Sequence, residues 1–122
     1  MKKLLAGKLA FAVAGLFALG QAHAVPSQVV TYVYYNGTVP IGQSIRGCDS
    51  AAVHWGTATL ATQSQAVAVA YSCATRTAIR VTFPTSIDPW VQANFCATTG
   101  ICEMGPQEIQ GGGTLVPGMF SE

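Results

Sequence analysis

Charged side chains are scarce in this sequence. Asp, Glu, Lys and Arg together make up 9% of its 122 residues, too few for the basic stripe that binds nucleic acid or an anionic membrane surface. No lysine follows Lys8, and the histidines are His23 and His54 alone. After Leu19 no apolar run is long enough to cross a bilayer; Ala66 to Ala70 is short and belongs to an alternating pattern. The G-x-S-x-G signature of a serine hydrolase is missing. Gly111-Gly112-Gly113 lacks the following Lys-Ser/Thr of a phosphate loop and reads as a flexible linker. There is no internal repeat and no motif that calls for a cofactor.

The N-terminus is well marked. Lys2, Lys3 and Lys8 form a basic start, Leu9 to Leu19 is an apolar run, and Ala22-His23-Ala24 places small residues where a signal peptidase reads them. The run is about 11 residues, against roughly 20 for a membrane-spanning helix. This pattern predicts a secretory signal over residues 1–24, cleaved after Ala24, and a secreted or periplasmic product starting at Val25. No cysteine adjoins the cleavage point, so a lipid anchor is not expected. Cleavage removes every lysine. Arg46, Arg76 and Arg80 then face Asp49, Asp88, Glu103, Glu108 and Glu122, a formal balance of about −2.

The four cysteines, Cys48, Cys73, Cys96 and Cys102, all lie after that point. In an oxidising compartment an even number reads as two disulfides. Zinc would want C-x-x-C spacing or more histidines than His54. Three pairings are possible and sequence does not choose among them. Cys48–Cys73 with Cys96–Cys102 is preferred because each loop closes inside its own region. In the chain-entropy treatment the longer loop is worth about 3.5 kcal/mol and the shorter about 2.4 kcal/mol.

Between the cysteines the sequence favours strands. Val29 to Tyr35 is β-branched and aromatic, and Asn36-Gly37 follows as a tight hairpin signal. Thr38 to Ile41 is the expected return strand, broken at Gly42, with Ser44 to Cys48 a further short strand. Val53 to Thr62 alternates weakly. Gln65 to Cys73 places Val67, Val69, Tyr71 and Cys73 on one face and Ala66, Ala68 and Ala70 on the other. Thr77 to Phe83 places Ile79, Val81 and Phe83 inward, leaving Arg80 solvated. Asp88 and Pro89 read as the cap and first residue of a short helix over residues 89–97. The expected fold is mostly β, a small antiparallel meander or sandwich of five or six strands with two disulfides. Its domain runs over residues 25–104, followed by a loose Gly/Pro-rich tail over 105–122.

Catalytic candidates are few. His54 has Asp49 and Asp88 as possible partners, but the simpler reading is a surface residue beside Trp55. The acids are too scattered for a paired-carboxylate cycle. Asn36-Gly37-Thr38 fits a glycosylation sequon, which the tight turn explains more simply. Tyr32, Tyr34 and Tyr35 crowd one hairpin, either as a recognition stripe or as core-packed rings with hydroxyls at the rim; the second is preferred.

From Tyr34-Tyr35 through Gly42, Cys48-Asp49 and Trp55-Gly56-Thr57 to Tyr71-Ser72-Cys73, the chain resembles short exported bacterial proteins of the domain-of-unknown-function family numbered 6289. The resemblance covers Val29 to Cys73, implies a Cys48–Cys73 bridge and brings no activity. These readings together point to a non-catalytic extracytoplasmic binding or surface module, whose partner is another extracytoplasmic protein or a cell-surface component. A secreted peptide precursor or small effector, a surface-polymer subunit, and a small hydrolase using His54 are the alternatives.

Overall fold

The computed structural model describes residues 26–118 and Phe120. The expected signal over residues 1–24 lies outside them. Among the described residues the elements are β1 (Gln28–Asn36), β2 (Val39–Arg46), β3 (Ala52–Gly56), α1 (Leu60–Gln63), β4 (Ala66–Ser72), β5 (Ala78–Thr82), α2 (Pro89–Thr99) and β6 (Val116–Pro117). The strands form one six-stranded sheet, ordered β5-β4-β1-β2-β3-β6, with every neighbour antiparallel. Mostly antiparallel β with a short helix and two disulfides is the class the sequence predicts. Its connectivity is that of a β1-β2-β3 meander with the β4-β5 hairpin added to the far edge of β1, so residues 57–65 cross two strands.

One sheet face carries the core. Val29, Thr31, Val33 and Tyr35 alternate along β1, Val67, Val69 and Tyr71 along β4, and Gln43 and Trp55 continue the surface across β2 and β3. Ile87, Val91, Phe95, Ile101 and Ile109 cover this face from the helical side. Phe95 meets the Phe83 ring edge-on at 5.7 Å and the Tyr35 ring at 6.3 Å, which seats α2 on the sheet. Each such side chain contributes about 1.5–3 kcal/mol when fully buried. Helix α2 starts where Asp88 accepts the Trp90 backbone N–H at 2.8 Å. It runs past the expected 97 to Thr99 and stops at Gly100, whose φ of 72° suits glycine.

Four sequence expectations are corrected. The expected break at Gly42 is absent: β2 is one strand, with a bulge at Ile41 opposite Tyr34 and Tyr35. Gly42 instead answers to crowding, since a Cβ there would collide with the Thr57 carbonyl oxygen. The strand expected over Val53 to Thr62 ends at Gly56, and Thr59 and Thr62 then form a reciprocal capping box that opens the single turn of α1. Ile79 does not face the core. It is the extra residue of a second bulge between Arg80, opposite Ala70, and Ala78, opposite Tyr71, and it stands 47% exposed while Ala78 turns inward.

The fourth correction concerns the tail. Its described part is anchored at points rather than loose throughout: Ile109 is 4% exposed and Val116–Pro117 pairs with Val53 and His54 as an edge strand, while Gly113 to Gly118 remain exposed. The glycines there dilute the apolar pattern, but buried polar bonds described below hold the segment down.

Candidate functional site

The cysteines pair as Cys48–Cys73 and Cys96–Cys102, with Cα separations of 5.7 and 5.3 Å. Disulfide sulfurs are not thiolates, so none of the four is available as a metal ligand. Among the described residues, no three His, Cys, Asp or Glu side chains converge, and no helix is long and apolar enough to cross a membrane. Two disulfides fit a small extracytoplasmic protein in an oxidising compartment.

Gln43 is the polar centre of the core and was not visible as such in the sequence, because burial of a lone amide leaves no periodic trace. Its side chain is fully buried and uses all four of its hydrogen-bonding positions. Nε2 donates to Thr31 Oγ1 at 3.2 Å and to the Gln107 carbonyl at 2.9 Å. Oε1 accepts from the Trp55 indole N–H at 2.9 Å and from the Ile109 backbone N–H at 3.0 Å. Sheet and C-terminal segment are thereby joined through one amide.

His54 lies on the opposite face of β3. Its Nδ1 hydrogen-bonds the Gly118 carbonyl at 2.8 Å, and its ring lies 4.6 Å from Phe120. Neither suggested carboxylate partner reaches it: Asp49 closes the β2–β3 turn by accepting the Ala51 N–H at 3.0 Å, and Asp88 caps α2. The three tyrosines divide. Tyr35 is in the core. Tyr34 is buried, its hydroxyl 3.3 Å from Ser44 Oγ and its ring edge-on to Phe120. Tyr32 is 38% exposed on the same face as Tyr34. Burial pushes the Tyr35 and Tyr71 hydroxyls up to about 12. Tyr71 donates to the Ile101 carbonyl at 2.5 Å, tying β4 to the end of α2.

The bridge Cys48–Cys73 gathers three chain segments at one end of the sheet: the β2–β3 turn, the β4–β5 turn, and Gly105-Pro106, which are joined by a cis peptide bond. Between them lies a hollow of about 320 Å³, lined by Ile45, Val53 and Pro106 with Asp49 and Arg76 at its charged positions. A larger hollow of about 590 Å³, beside Pro26, Cys73 and Ile79, has no charged lining residue to orient a ligand. Arg76 carries no sequence signal of its own. The cysteine pairing held one, since Asp49 directly follows Cys48 and Arg76 lies three residues after Cys73.

Comparison with known proteins finds no matching family model, no matching curated protein and no matching solved structure.

Proposed function

We propose that this chain is an exported, non-catalytic binding module that acts outside the cytosol, on another extracytoplasmic protein or a cell-surface component. In this reading residues 1–24 are removed after Ala24, and the kinship of Val29–Cys73 with the domain-of-unknown-function family numbered 6289 belongs to the same proposal. The observation that carries it is the Cys48–Cys73 bridge, which clasps two turns into a preformed loop end with a charged, apolar-floored hollow. His54 supports the non-catalytic side of the reading. Its Nδ1 is taken up by a backbone carbonyl and its ring packs, tilted, against Phe120, an arrangement that suits holding the C-terminal segment rather than moving protons.

The test is mass spectrometry on extracytoplasmic fractions of the producing cell. A species starting at Val25, with four cysteines that resist alkylation until reduced, is expected. An uncut chain in the cytosol with reactive thiols would remove the proposal. The surface-polymer reading draws on one observation, the edge strand β5, where Ile79 stands exposed on a bulge. Size-exclusion of the oxidised product separates the two: the binding module elutes as a monomer, a polymer subunit as a ladder.

A further inference from the structure

Arg76 occupies an unfavourable backbone position. Its φ is 62°, in the left-handed region that glycine enters freely and a side chain enters at a cost. The turn needs this conformation: the Arg76 N–H donates to the Ser72 carbonyl at 2.7 Å, and its own carbonyl accepts the Gly105 N–H at 3.0 Å. Glycine would make both backbone bonds without the strain. The arginine side chain returns nothing to the fold, because among the described residues its guanidinium has no hydrogen-bond or ion-pair partner. It lines the hollow of about 320 Å³ instead. A second left-handed non-glycine residue, Ser50 at φ 72°, shapes the facing β2–β3 turn. Two left-handed non-glycine residues thus sit in the two turns beside one hollow, and one of them, Arg76, lines it with no partner for its guanidinium among the described residues.

We propose that this hollow binds an α-amino acid with an apolar side chain, an inference that rests on the binding-module reading above and specifies its ligand. The Arg76 fork matches a carboxylate in shape and charge. Asp49 Oδ1 is held by the Ala51 N–H, which leaves Oδ2 to receive the ligand ammonium. Ile45, Val53 and Pro106 supply an apolar floor for the side chain. A volume of about 320 Å³ lies at the small end of ligand pockets, which suits a single amino acid rather than a peptide or a glycan. One lining residue of each charge favours a zwitterion over a plain anion or cation.

The experiment is an amide NMR titration of the oxidised exported protein with L-leucine and L-phenylalanine, beside leucinamide and N-acetyl-leucine. Leucine or phenylalanine is expected to shift the amides of Cys48 to Ala51 and of Arg76. Leucinamide, lacking the carboxylate, and N-acetyl-leucine, lacking the ammonium, are each expected to bind at least about tenfold more weakly. Arg76→Gly is expected to abolish the response while raising the melting temperature, because it relieves the backbone. Equal affinity for leucinamide and leucine, or an Arg76→Gly variant less stable than the parent, overturns the proposal. Silence at the hollow with millimolar ligand does the same, and it leaves the export and binding-module reading to stand or fall on its own mass-spectrometric test.

Discussion

Gln43 shows how much one buried amide can control. Replacing it with leucine keeps the volume but leaves the Trp55 indole N–H and the Ile109 N–H buried without partners, and frees the Gln107 carbonyl at the part-buried edge of the site. Unsatisfied buried groups cost about 1–3 kcal/mol each, so Gln43→Leu is expected to cost about 4 kcal/mol in urea unfolding. Trp55→Phe should cost less in the Gln43→Leu background than in the parent, since the two side chains share one bond. The buried tyrosines make a pH prediction. Folded Tyr35 and Tyr71 hydroxyls lie near 12, against about 10 in the unfolded chain, so the folded state holds those protons more tightly. Their contribution is fully present below pH 10 and is lost as pH rises toward 12. Each is worth about 3 kcal/mol over that window. Unfolding measured at successive pH values should show this decline, and Tyr71→Phe should flatten it.

At the scale of elements, the legible features are those with a local physical cause. The alternation of Val67, Val69 and Tyr71 predicts the β4 core face because a strand repeats every two residues, and Asp88-Pro89 predicts the start of α2 because both act within one turn. Asp88→Ala is accordingly expected to cost about 1 kcal/mol, measured as a lowered urea midpoint at unchanged slope. The illegible features have causes far away in sequence. The bulges at Ile41 and Ile79 insert one residue into a ladder, which shifts the in–out alternation on one side of the bulge against the other and leaves no mark in composition. Gly42 reads as a break, yet its reason is the Thr57 carbonyl arriving from the crossover. The described part of the tail looks loose because its anchors, Gln107 and Ile109, bond to Gln43 more than 60 residues earlier. The candidate site follows the same rule. Asp49 and Arg76 become neighbours only through the bridge between Cys48 and Cys73.

For the whole molecule the decisive question is whether the hydrophobic core can hold the fold without its bridges. The sheet is covered on its core face by one 11-residue helix, an irregular C-terminal segment and a compact set of buried apolar side chains. The two loops closed by disulfides together contribute about 6 kcal/mol in the chain-entropy treatment, comparable with the entire net stability of many small domains. The larger share belongs to Cys48–Cys73, with a sequence separation of 25 against 6 for Cys96–Cys102. The oxidised protein is therefore expected to give a cooperative thermal transition with a near-UV circular dichroism signal from buried Trp55. The fully reduced and alkylated chain should lose that signal at room temperature. Of the two single-bridge variants, Cys48→Ala/Cys73→Ala should melt lower than Cys96→Ala/Cys102→Ala. A reduced chain that kept the parent's near-UV spectrum and melting temperature would mean that the core alone suffices. The tie between this fold and an oxidising compartment would then be lost.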